Sequence, residues 1–185
     1  MSARRLTIYR ACLIVTVALC MSALGSCRTD GASPAPATGQ GDELPTALEL
    51  IESFPDTLGS VALNHVQIVD EQMMSGHPVD GVLDALDKDR GDAIAVFAES
   101  PDGRTGVGAL AVRNVSGPTL FETVGQSWTD PAIVERSKAH MSDRVVWRFR
   151  YRSGPVMVAY PHGDVIYFAL AGTLDELVEL LGRLP

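Results

Sequence analysis

Between Arg144 and Arg152 the chain reads Arg-Val-Val-Trp-Arg-Phe-Arg-Tyr-Arg, the clearest alternation of chemistry in its 185 residues. On an extended strand successive side chains point to opposite faces. Val145, Trp147, Phe149 and Tyr151 are therefore expected on one face, and Arg144, Arg148, Arg150 and Arg152 on the other. A row of guanidinium groups can grip carboxylate or phosphate through paired hydrogen bonds. That makes the stripe the candidate site for an anionic ligand or an acidic partner. The plainer account is a solvated face whose arginines pair with acids from neighbouring strands or from the acidic N-terminal half.

Other chemistry-bearing residues are sparser. Asp87-x-Asp89-x-Gly91-Asp92 begins like a calcium loop, but its glycine comes one position early and position twelve is Ala98 rather than Glu. His65, His77, His140 and His162 stand in no zinc-ligand spacing, so no metal is expected. His162 and Asp164 flank a turn glycine, where such residues steady turns more often than they catalyse; a hydrolase assembled from distant residues would draw on them first. There is no G-x-S-x-G elbow and no S-x-x-K, so no catalytic residue is assigned and no enzyme is expected. Gly103-Arg104-Thr105-Gly106-Val107-Gly108 lacks the Lys-Ser/Thr ending of a phosphate loop and is read as turn glycines of a hairpin. Trp128, Trp147, Tyr151, Tyr160 and Tyr167 are read as core and strand packing rather than a stacking surface.

The N-terminal segment has a signature of another kind. Arg4, Arg5 and Arg10 precede an apolar run from Ala11 to Leu24, the length of a signal-peptide core and short of the roughly 20 residues that span a bilayer. Leu24-Gly25-Ser26-Cys27 closes the run and resembles the lipobox of bacterial membrane lipoproteins, with Gly25 the less common choice at its position. The resemblance implies cleavage between Ser26 and Cys27, a diacylglycerol thioether on the Cys27 thiol, and acylation of the freed amine by a chain such as palmitate. It also implies a membrane or envelope location, with the domain held on the extracytoplasmic side by its lipid. Two chains suffice for stable anchoring at roughly 0.8 kcal/mol per buried methylene. Three other outcomes stay open: cleavage after Ala23-Leu24-Gly25 to release a soluble protein, an uncleaved anchor, or modification at Cys12 or Cys20, the last disfavoured by Leu19 before Cys20. The ending, from Tyr160-Pro-His-Gly-Asp-Val-Ile-Tyr-Phe to Leu184-Pro185, resembles that of small secreted bacterial lipoproteins and implies no chemistry.

On this reading residues 1–26 are the signal peptide, 27–43 a lipidated cysteine and linker, and 44–185 one domain. The linker has no large apolar residue and spans on the order of 20 Å as a coil. Lipidation of Cys27 leaves no cysteine pair, so the domain must rely on its hydrophobic core. Residues 27–102 hold 15 acids against 3 bases, and residues 103–185 hold 8 against 9. That balance disfavours nucleic acid and broad adhesion to anionic headgroups. The remaining partners are the membrane, through the lipid, and an unknown protein or small molecule.

Several elements are expected to position these residues. Thr46-x-x-Glu49 opens a short helix with Leu48, Ile51 and Phe54 inward, stopped by Pro55. Leu58–Val69 reads as extended, broken near Asn64, and a helix runs from Val79 to about Lys88, ended by Gly91. Ala93–Ala98 and Gly106–Arg113 form a hairpin, followed by a helix from Thr119 with Glu122 in its capping box. Pro155–Tyr160 and Val165–Ala171 form a second hairpin, and Thr173-x-x-Glu176 caps a last helix with Leu177, Val178, Leu180 and Leu181 on its apolar face. The expected class is α+β: an antiparallel sheet with helices packed on one face, and a hairpin-plus-helix order that hints at duplication. The expected function is a non-enzymatic, lipid-anchored binding or interaction module without a cofactor. A carrier that holds an apolar or lipid ligand between sheet and helices is the main alternative.

Overall fold

The apolar runs of the two hairpins meet at the centre of one sheet. The computed structural model describes residues 44–58, 61–63, 65–69 and 77–185. The leader, the Ser26–Cys27 junction, the linker, Asn64 and Met73-Met74 lie outside them. Among the described residues, β1 (Thr57–Leu58) and β2 (Val61–Ala62) form a small ribbon. The main sheet contains β3 (His65–Val69), β4 (Ala93–Glu99), β5 (Gly106–Val112), β6 (Ile133–Met141), β7 (Arg144–Tyr151), β8 (Val156–His162) and β9 (Val165–Ala171). Its order is β3-β4-β5-β9-β8-β7-β6 with antiparallel pairing throughout, the α+β architecture expected.

The helices do not share one face. On one side Leu110, Val112, Phe149, Ile166 and Phe168 form a core with α2 (Pro78–Leu86) and α3 (Gly117–Ser127). On the other, Val96, Ala109, Val158, Tyr160 and Ala169 pack with α1 (Ala47–Glu52) and α4 (Leu174–Leu181). The reason is in the strands: every residue of β5 is buried, as are most of β9, so neither parity can face water. A two-fold rotation normal to the sheet would exchange the hairpins but keep α3 and α4 on one face. They lie on opposite faces, so the hairpin-plus-helix repeat is one of chain order and not of space.

Local details adjust the expected boundaries. The capping boxes of α1 and α4 form as read, with Glu49 accepting from the Thr46 N–H at 2.7 Å and Glu176 from the Thr173 N–H at 3.1 Å. In α1 the buried residue is Leu50, while Leu48 is exposed; Ala47, Ile51 and Phe54 complete the packed face. In α4, Val178 is exposed rather than buried. Helix α2 ends at Asp87, not near Gly91, because Asp87 itself takes the left-handed conformation (φ 53°) that closes the helix. Helix α3 starts at Gly117 rather than Thr119. Pro118 suits its first turn, Ser116 is the N-cap residue, and Glu122 reaches Lys138 Nζ at 2.6 Å instead of closing a box. Strand β6, not anticipated from the sequence, is an edge strand in which Ser137, Ala139 and Met141 alternate with exposed polar residues.

Candidate functional site

The arginines of the stripe do not act as one row: Arg148 and Arg150 share one acid, while Arg144 and Arg152 are placed apart from it. Glu135 on β6 accepts from Arg148 Nη2 at 3.2 Å and from Arg150 Nε at 2.9 Å. Those hydrogen bonds, Arg150's first, hold the Glu135 carboxyl below its ordinary pKa. Arg144 stacks over the Tyr160 ring at 4.4 Å and donates to the Leu184 carbonyl at 3.2 Å, tying the C-terminal residues to β7. Arg152 lies past the end of β7, exposed. On the opposite parity Trp147, Phe149 and Tyr151 point into the core shared with α3, while Val145 is exposed.

Asp164 and His162 are also placed by structure. Asp164 Oδ1 accepts the Gly117 N–H at 3.0 Å, satisfying an open donor at the start of α3 from 47 residues away. The approach is so close that a side chain at Gly117 would strike the Gly163 carbonyl. His162 is exposed and sits edge-on to Tyr167 at 6.3 Å. We expect Asp164→Ala to destabilise the domain by about 1 kcal/mol, the usual worth of a cap; a urea denaturation midpoint unchanged from the parent would rule out that role.

Asp87 serves as the C-cap of α2, and Asp89 precedes a single 3₁₀ turn over Arg90–Asp92. A hollow of about 520 Å³ beside them mixes Asp80, Asp84 and Asp89 with Lys88 and Arg90. Among the described residues no three His, Cys, Asp or Glu side chains stand together as a metal site.

A different place collects functional chemistry. Gly103 is a turn residue (φ 65°), but Gly106 and Gly108 lie inside β5, in two neighbouring cross-strand rows. One row runs Gln67, Phe97, Gly108 and Phe168; the next runs Glu99, Gly106, Leu170 and Met157. Where flanking strands carry large side chains, β5 carries none, and the sheet is notched. Glycine within a strand commonly marks such a close approach. A Cβ at Gly108 would strike the Phe97 ring.

At Gly106 the notch forms part of the floor of a cleft of about 230 Å³, while over Gly108 it is filled by the Phe97 ring. Its walls come from the start of α2 and from the segment that leaves α3. His77, the N-cap of α2, accepts the Val79 N–H at Nδ1 (3.3 Å), which fixes its ring at the rim. The rings close a circuit: His77 to Phe97 at 5.6 Å, Phe97 to Phe168 at 6.0 Å, Phe168 to Trp128 at 4.9 Å, and Trp128 back to His77 at 6.1 Å. Trp128 is held from behind by Arg136 on β6. That guanidinium donates to the carbonyls of Gly125 (3.3 Å), Gln126 (2.7 Å) and Trp128 (3.2 Å), closing the C-terminal end of α3 where a cation is favoured.

The electrostatics of the cleft are one-sided. Glu99 and Asp130 line it, and no Lys or Arg does among the described residues. Asp130 is fixed by the Ala132 N–H at 2.8 Å. Burial lowers the pKa of His77, against the opposing pull of Asp80 and Asp130, so the imidazole is neutral at neutral pH. Burial, aided by the Asp130 charge, pushes the Tyr151 phenol up to about 12. The Trp128 indole N–H acts on that phenol in the opposite direction but is buried without an aligned hydrogen-bond partner.

None of the five ring residues was singled out from the sequence as a ligand contact. They come from positions 77, 97, 128, 151 and 168, three on strands and two at helix ends, which only the tertiary fold unites. The legible signal was the Gly-x-Gly inside an apolar strand, which the turn reading absorbed. Compared with protein-family models, curated proteins and solved structures, the chain matches none significantly.

Proposed function

We propose that this chain is a lipid-anchored bacterial envelope protein whose α+β domain binds a small molecule, without catalysis, in the cleft over Gly106. The observation that carries the reading is the cleft: a glycine notch ringed by aromatic side chains with a few fixed polar groups, the usual composition of a ligand site. Its volume of about 230 Å³ lies below the roughly 300–1,000 Å³ typical of drug-sized ligands. That size favours a compact molecule over a long-chain lipid. The anchor rests on Leu24-Gly25-Ser26-Cys27 and the preceding apolar run. Lipid and linker then hold the cleft within tens of ångströms of a bilayer.

Native mass spectrometry of the full chain, purified from its bacterial host in mild non-ionic detergent, tests both halves. The expected spectrum shows a chain starting at Cys27, acylated, with part of the population carrying a small bound mass. Cys27→Ala should abolish the acyl mass and membrane retention while keeping the fold. Gly106→Val, which builds a side chain on the cleft floor, should abolish only the bound mass. An unacylated native chain overturns the anchor; a chain with no retained mass, and with none restored by any compound offered, overturns the binding role.

A further inference from the structure

Resting on that reading, we propose that the cleft selects a small organic cation: an ammonium group whose substituents contact the aromatic rings and whose charge faces Glu99 and Asp130. Aromatic faces carry negative quadrupole density and attract cations lodged within about 6 Å of the ring centre, most strongly where water is excluded. The circuit of rings offers several such faces around one space. A neutral ligand would need only the rings. Among the described residues, two carboxylates and no cationic side chain line the same space, an arrangement that favours a positive ligand over an anionic one.

The remaining lining supports the sign. Tyr151 donates its hydroxyl toward Met157 Sδ at 3.8 Å, leaving its oxygen as a further electron-rich group. Arg136 stays behind Trp128 with its N–H groups committed to three backbone carbonyls, so it brings no donor to the opening. The formal charge of the chain, -8, adds a long-range attraction for cations that salt should weaken.

The test compares two molecules of nearly one shape. Choline and its neutral isostere 3,3-dimethylbutan-1-ol are titrated into the acylated full chain in non-ionic detergent, with tryptophan fluorescence and calorimetry as readouts. Choline should bind saturably and about tenfold more tightly than the alcohol, a factor within what a desolvated cation–aromatic contact supplies. The double variant Glu99→Gln and Asp130→Asn should shrink that preference to what the rings alone supply while leaving the alcohol's affinity as it was. The amide introduced by Asp130→Asn keeps an oxygen acceptor for the Ala132 N–H, and an unchanged thermal midpoint confirms the fold. Equal or tighter binding of the alcohol overturns the cation inference and leaves a neutral-ligand site. Failure of both probes beside a native spectrum that retains a bound mass also overturns the cation inference alone. Failure of both with no retained mass removes the binding role itself.

Discussion

Phe149→Ala is expected to lower the stability of the domain by about 3–5 kcal/mol, measured as a shift of the urea denaturation midpoint at constant slope. Phe149 is fully buried at the middle of β7 and belongs to the core beneath α2 and α3. Its cross-strand partner toward the sheet centre is Met157, and Met157 lines the ligand cleft. Truncation therefore removes a large transfer term and opens a cavity beside the cleft floor. The sheet limits collapse into that cavity, because β7 is paired on both sides, with β6 and β8. Domains of this size are stable by roughly 5–15 kcal/mol, so the loss would be a large share of the total. A shift under about 1 kcal/mol would mean that the ring is not the packed centre described.

Gly125→Ala should also destabilise, by about 1–3 kcal/mol, against what helix propensity predicts. In an open helix the exchange would gain about 1 kcal/mol. Here the added methyl would fall within the Trp147 ring, which lies flat against the backbone of α3. That indole has little room to yield: Phe121 stands 6.4 Å away on the same helix and Lys138 Nζ lies 5.1 Å over the ring. Overpacking of this kind forces side chains from their wells or spreads the elements. Adding Trp147→Phe to the alanine variant should recover part of the loss, and the double-mutant cycle then gives the coupling energy. Simple additivity of the two substitutions would show that Gly125 and Trp147 do not constrain each other.

Patterns confined to a few residues were legible in the sequence. Thr46-x-x-Glu49 and Thr173-x-x-Glu176 each specify their own hydrogen bonds, so both capping boxes form as read. The alternation from Arg144 to Tyr151 likewise sends Trp147, Phe149 and Tyr151 to the core, though Val145 is exposed and Val146, on the arginine side, is buried in the other core. What failed needed information from elsewhere in the chain. Strand β6, whose Glu135 pairs with Arg148 and Arg150, was not anticipated because its polar sequence hides its pairing. The start of α3 was misplaced because Asp164, far along the chain, satisfies its first N–H. The candidate site was missed for the same reason: Gly106 and Gly108 look like turn glycines until register sets Glu99 and Leu170 beside the first and Phe97 and Phe168 beside the second.

The pairing of β5 with β9 also bears on when the molecule can exist at all. Partners in that central ladder, from Ala111 with Val165 to Gly106 with Leu170, are 54 to 64 residues apart in the chain. Loop-closure entropy must be met before such contacts give anything back, which makes folding slow. Neither hairpin can complete both cores until the other has arrived, so a growing chain that lacks β9 has no finished sheet to settle into. Under the export proposed from the leader, that delay would be an asset: the topology would keep the chain competent for translocation until its last strand had crossed.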